Sequence, residues 1–257
     1  MKSSKFEDTI EGLIRIVKKL RSPDGCEWDK KQTSESLVPY FLEEVHEVIE
    51  AIDNNDSNSL KEELGDLLLH IVFQISIAEQ KKDFVVADVL KGINNKLINR
   101  HPHIFYDKDD PKWQEGNWEE SKQKEKNRDS IIDGVPKGLP AMHRSRRIQE
   151  KAASVGFDWE TKDQVIAKVD EEILELKESI TTNNNIEEEL GDVLFSVVNL
   201  SRHLDIDPER SLKYAIDKFS KRFKKIESDL SKKKIKIKDL SLQELDDLWE
   251  KNKKKVR

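Results

Sequence analysis

The sequence predicts an all-α protein built from two tandem helical modules. Three observations lead there. Apolar residues recur at the 3.6-residue helical period along nearly the whole chain, with almost no strand-like alternation. Only 9 Gly and 7 Pro occur in 257 residues, too few for the turns of a many-stranded sandwich or barrel. The two halves also repeat the same motifs in the same order.

Taken in order, the periodic segments predict helices over Phe6 to Leu20, Leu37 to Ile52, Leu60 to Gln80 and Val85 to Arg100. A break follows. Gly134, Pro136, Gly138 and Pro140 fall within residues 134–140, where a helix cannot continue. Beyond it, helices are expected over His143 to Ala153, Val165 to Ile180, Ile186 to His203 and Pro208 to Leu230. The expected organisation is therefore an N-terminal module at 1–130, a Gly/Pro linker at 131–142 and a C-terminal module at 143–257.

The repeat is carried by chemistry-bearing residues. Glu43-Glu44 with Glu47 corresponds to Glu171-Glu172 with Glu175, and Glu62-Glu63-Leu64-Gly65-Asp66 to Glu188-Glu189-Leu190-Gly191-Asp192. Lys96 and Arg100 correspond to Lys218 and Arg222, and Trp118-Glu119-x-x-Lys122 to Trp249-Glu250-x-x-Lys253.

At about 100° per residue, Leu37, Phe41, Val48 and Ala51 all lie within about 60° of Glu44, which therefore sits on the apolar face. In the next helix His70 and Gln74 share the face of Glu63, a polar stripe on an apolar segment. A short turn between such helices makes them antiparallel and gathers Glu44, Glu47, Glu63 and Asp66. The second module gathers Glu172, Glu175, Glu189 and Asp192 in the same way.

Two carboxylates ~4 Å apart repel by ~4 kcal/mol at an effective dielectric of ~20, so each quartet calls for raised pKa values or a cation. All-oxygen donors suit Mg²⁺ or Mn²⁺, since neither quartet offers the Cys and His that zinc favours. A di-iron bundle would want Glu-x-x-His where the chain has Glu-x-x-Asp. A solvated acidic face is the competing reading of one quartet. Two quartets on apolar faces argue against it.

Lys96 with Arg100, and Lys218 with Arg222, are four apart and share a helix face. Beside a carboxylate-bound metal, a Lys point charge and an Arg fork suit phosphate oxygens. His101 and His103 flank Pro102 at a helix end and read as a turn. His70 reads as a hydrogen-bond partner of the first quartet.

The charge balance of −6 disfavours bulk nucleic-acid or anionic-membrane binding. Cys26 is alone, the N-terminus lacks a signal-peptide pattern, and Leu67 to Ala78 is too short to span a bilayer. A cytoplasmic location without membrane or nucleic-acid partners is expected.

These residues resemble the MazG family of nucleoside triphosphate pyrophosphohydrolases. The resemblance also includes Gly25-Cys26-Glu27-Trp28-Asp29, Arg100-His101-Pro102-His103-Ile104-Phe105, Gly134-Val135-Pro136 with Leu139-Pro140, and Gly156-Phe157-Asp158-Trp159. It implies an all-α fold, a homodimer with interlocking helices, and cleavage of a nucleoside triphosphate into monophosphate and pyrophosphate. It assigns Glu172, Glu175, Glu189 and Asp192 to Mg²⁺, Lys218 and Arg222 to the phosphates, and Trp249 to the nucleotide. Lys168, one turn before Glu172, can meet a phosphate, and Glu171 or Glu188 can orient the attacking water.

Seven residues past each motif Asp, the first module has Phe73 and the second Asn199. Four further on stand Ile77 and His203. An amide can bond a ribose, base or water, whereas Phe offers bulk. The second module is therefore expected to carry most of the turnover. The alternatives are a nucleotide-sensing module without turnover and a plain helical scaffold.

Overall fold

A computed structural model describes residues 7–110 and 129–253. Among these there are helices and turns and no strand. The chain divides into two compact units, Met1–Gly116 and Asn117–Arg257. The repeat residues Trp118, Glu119 and Lys122 lie outside the described residues.

The first unit contains α1 (Ile10–Leu20), α2 (Glu27–Lys31), α3 (Val38–Asp53), α4 (Ser57–Lys81), α5 (Val86–Arg100) and α6 (Pro102–Phe105). Thr9 caps α1 by accepting from the Gly12 N–H, and Asp56 caps α4 by accepting from Asn58 and Ser59, so each orphan first turn is satisfied by a neighbouring side chain. Between α3 and α4 the chain reverses through Asn55 at φ 53°, a left-handed conformation that Asn tolerates. The result is an antiparallel hairpin, and α1 lies on α4. Its core is Val17, Leu37, Val72, Phe73 and Ile77, flanked by Leu13, Ile14 and Leu69.

The second unit repeats this plan. It contains α7 (Ala141–Ala153), α8 (Lys162–Thr182), α9 (Ile186–His203), α10 (Pro208–Lys232), a 3₁₀ turn (Ile237–Asp239) and α11 (Leu242–Lys253). Thr161 and Gln164 form a reciprocal capping box at α8, while Asp207 caps α10 with Pro208 at its first position. The hairpin of α8 and α9 turns through Asn183 and Asn185, both left-handed, and α7 lies on α9 as α1 lies on α4. The Gly/Pro stretch does break the helix. Gly134 has φ 75°, and the Ile131 carbonyl accepts from the buried Lys151 ammonium of α7 at 2.8 Å.

The parallel extends to the loop before each hairpin. Gly25-Cys26-Glu27-Trp28 follows α1 and Gly156-Phe157-Asp158-Trp159 follows α7. The two glycines are required for different reasons. Gly156 adopts φ +87°, whereas a Cβ on Gly25 would lie 2.0 Å from the Leu20 carbonyl oxygen.

Two long helices keep apolar stripes exposed. On α5 these are Val89, Ile93 and Leu97, and on α10 Leu212, Ile216, Phe219 and Phe223. Each stripe advances by three or four residues, the spacing of a helix-packing face. No helix among the described residues is long and apolar enough to cross a membrane.

Candidate active site

Each hairpin brings carboxylates from its two helices together. In the second unit Glu172 of α8 meets Glu189 and Asp192 of α9, with one oxygen from each lying within 4.8 Å of the others. Glu172 is buried, whereas Glu189 is half-buried in the first turn of α9. Partial burial, together with repulsion from Glu175, Asp192, Glu188 and Glu172, holds the Glu189 carboxyl above the usual carboxylate range. Glu175 thus acts electrostatically on the cluster while itself lying exposed.

The first unit gathers Glu44, Glu47 and Glu63 to the same 4.8 Å limit. Burial raises Glu44, aided by Asp66 and Glu47, and burial with repulsion from Glu47 raises Glu63. His70 Nε2 lies 3.8 Å from Glu44 Oε1, and burial pushes its imidazole towards the neutral form. Both clusters consist of oxygen donors that resist sharing one space as anions, which is the donor set of a hard divalent cation.

What adjoins the second cluster is a cavity of about 480 Å³, within the ~300–1,000 Å³ range of small-molecule sites. Glu172 and Asp192 form its acidic end, with the Lys168 ammonium beside Glu172. Its body is lined by α7 residues, by the loop carrying Phe157, Asp158 and Trp159, and by Phe195, Asn199 and Arg202 of α9. Lys168 Nζ sits 2.7 Å from Glu171 Oε1 and 2.9 Å from Glu172 Oε1, which strengthens its hold on its proton.

Loop and helix are joined by one ionic cluster. Arg202 Nη1 donates to Asp158 Oδ2 at 2.8 Å, and Nη2 donates to the other oxygen. His203 Nε2 stands 3.1 Å from Asp158 Oδ1. Hydrogen bonds from Arg202 dominate in holding the Asp158 carboxyl below its ordinary range.

The remaining expected residues fall elsewhere. Glu188 is exposed in the first turn of α9. Lys218 is exposed and Arg222 buried on α10, and neither lines the cavity. Trp249 of α11 also stands apart from the cavity walls. Its ring lies 4.9 Å from that of Phe219 and 5.6 Å from the Arg222 guanidinium. Lys96 and Arg100 ride on α5, which packs chiefly on α6.

The cavity walls contributed by Gln149, Phe157, Asp158, Trp159, Phe195 and Arg202 were not assigned a role from sequence. The available signal was the Gly156-Phe157-Asp158-Trp159 motif, conspicuous in the sequence but without a partner until α9 is placed beside it.

The chain matches the MazG nucleotide pyrophosphohydrolase domain over residues 32–105 and 160–226, one segment in each unit. It is 48% identical over 246 residues to the nucleoside triphosphate pyrophosphohydrolase/pyrophosphatase MazG of Thermotoga maritima, covering 95% of both chains. This chain belongs to the MazG family.

Two further relatives match over nearly the whole of this chain. The nucleoside triphosphate pyrophosphohydrolase of Escherichia coli K12 is 38% identical over 251 residues, covering 94% of this chain and 95% of that one. An uncharacterized Bacillus subtilis protein, YabN, is 42% identical over 249 residues, which are 51% of its length. In this MazG chain the two matched segments contain the two hairpins, so the tandem organisation is that of the family domain placed twice.

Proposed function

We propose that this MazG-family chain hydrolyses nucleoside triphosphates to nucleoside monophosphate and pyrophosphate, water attacking the α-phosphorus, with the working site in the second unit. The observation that carries this is the position of Glu172 and Asp192 at one end of a cavity whose body is aromatic and amide-lined. A triphosphate belongs at the acidic end only if cations accompany it, and a nucleoside fits the rest.

Glu172, Glu189 and Asp192, with Glu175 beside them, would hold Mg²⁺ or Mn²⁺, which when bound supplies charge neutralisation and an acidified water. Lys168 is positioned to meet a phosphate oxygen once Glu172 is otherwise engaged, because its ammonium already lies between Glu171 and Glu172. Glu171, released from Lys168, or Glu188 would orient the water. Lys218 and Arg222 of α10, which do not line the cavity, keep the phosphate role that the family resemblance implies, and the Trp249 ring lies against the Arg222 guanidinium. Trp249 serves the nucleotide in this reading.

The proposal includes a homodimer. Its support is the pair of exposed apolar stripes on α5 and α10, which a second copy can cover. A cytoplasmic location accords with free nucleotides as substrates.

The test is incubation with a nucleotide panel and Mg²⁺ and chromatography of the products. Monophosphate with pyrophosphate is expected, and chelator should abolish it. Diphosphate with orthophosphate would refute the reaction, while metal-dependent binding without products would make the chain a sensor.

A further inference from the structure

The cavity wall around Asn199 has a fixed hydrogen-bonding polarity. Asn199 lies seven residues beyond Asp192 on α9, about 10 Å along the helix, and both line the cavity. An asparagine amide can present either its oxygen or its NH₂. Here that freedom is removed. Arg202 donates to Asn199 Oδ1 through Nε at 3.1 Å and through Nη2 at 2.8 Å. Arg202 is in turn clamped by both carboxylate oxygens of Asp158. The oxygen of Asn199 is thus occupied, and the Nδ2 donors remain for the cavity.

A second amide in the wall has the opposite polarity. Gln149 is nine-tenths buried and donates Nε2 to the Phe195 carbonyl at 2.9 Å, leaving Oε1 buried without a hydrogen-bond partner. That oxygen is closed off as well as unpartnered, so it stands behind the cavity surface and not on it. The cavity surface therefore offers a donor, polarised by an adjacent guanidinium.

We infer that Asn199 is a specificity-determining residue, fixed as a donor by Arg202 and Asp158, that selects nucleobases presenting an oxo edge where adenine and cytosine present an amino group. Guanine, hypoxanthine, uracil and thymine carry that edge. Adenine and cytosine present an amino group beside a ring nitrogen, placing donor against donor at Asn199. Arg202 and Asp158 are positioning residues. The inference rests on reading the cavity as the nucleoside end of the triphosphate site.

The test compares inosine and adenosine triphosphates, which differ only at this edge, and uses their α,β-methylene analogues to measure binding without turnover. The wild-type chain is expected to bind the inosine analogue about tenfold more tightly, the effect of one hydrogen bond made against one opposed. Asn199→Asp, which replaces the donor by an acceptor at constant size, should erase or invert the ratio. Asp158→Asn should shrink it by loosening Arg202. A ratio between two ligands on one protein cancels any general weakening of the fold.

A wild-type ratio near one, or a ratio unmoved by Asn199→Asp, overturns the assignment of Asn199. A ratio unmoved by Asp158→Asn overturns the positioning role of Asp158. If no nucleotide yields pyrophosphate, the hydrolytic reading fails, and the binding ratio still decides whether the cavity reads the base.

Discussion

At the scale of single residues, the carboxylate clusters control both chemistry and response to pH. Glu172→Gln removes one anion from the cluster beside the cavity, whereas Glu44→Gln does so in the unit whose core is filled by Phe73 and Ile77. With both variants folded, pyrophosphate release should fall at least ~100-fold for Glu172→Gln, on the scale of a lost transition-state interaction. It should change far less for Glu44→Gln. Greater damage from Glu44→Gln would place the working site in the first unit. The raised carboxyls of Glu44, Glu63 and Glu189 set a second expectation. A carboxyl raised in the folded state favours folding on the acid side, and that contribution is lost as pH rises from the ordinary carboxylate range through the raised value. Metal-free protein should therefore lose thermal stability towards neutral pH, and the gain on adding Mg²⁺ should grow over the same interval, since ligands bind the ion deprotonated. Thermal melts with chelator and with Mg²⁺ check this, and a pH-independent Mg²⁺ increment would contradict it. Most of these acids could be read in advance. Their facing follows from helical rotation alone, so Glu44, Glu63, Glu172 and Glu189 needed only a turn between two helices.

At the scale of elements, local pattern specified the helices and left the loops that give the cavity its shape to tertiary structure. The periodic segments match α3, α4, α5, α7, α8, α9 and α10 to within a few residues, because each has an apolar face, and Asp56, Thr161 and Asp207 cap three of them. α11 was not marked as a helix, although it carries Trp249. The contact between Asp158 and Arg202 spans 44 residues of sequence, a separation no periodicity reports. Trp249 illustrates the same limit. The family resemblance implies a place for it at the nucleotide, and its packing against Phe219 and Arg222 depends on how α10 and α11 meet. The two loop glycines give a contrast to measure. Gly156→Ala meets no atom within 4 Å, so its cost is backbone strain, about 1–2 kcal/mol, and should appear as weaker nucleotide-analogue binding through a displaced Phe157 and Trp159. Gly25→Ala puts a methyl group against backbone oxygens and should lower thermal stability with little effect on analogue binding. Equal effects of the two changes on binding would detach the Gly156 loop from the site.

At the scale of the whole molecule, exposed apolar stripes and an uneven pair of cores are the features with consequences. If α10 packs on a second copy through Leu212 and Ile216, wild-type protein should sediment at about twice the 30.0 kDa chain mass. Leu212→Glu with Ile216→Glu should bring it to a single chain, and a wild-type monomer at micromolar concentration would exclude the dimer. The uneven cores have a calorimetric meaning. Phe73 and Ile77 fill the first unit's core at the positions where Asn199 and His203 stand in the second, where Asn199 instead lines the cavity. A scanning calorimeter should then record two melting events, the second unit unfolding first. A non-hydrolysable triphosphate in hundredfold excess over its Kd should raise only the lower event, by the ~2.7 kcal/mol that mass action gives a ligand bound to the native state alone. The first unit would stay where it was, a reference thermometer within the same polypeptide.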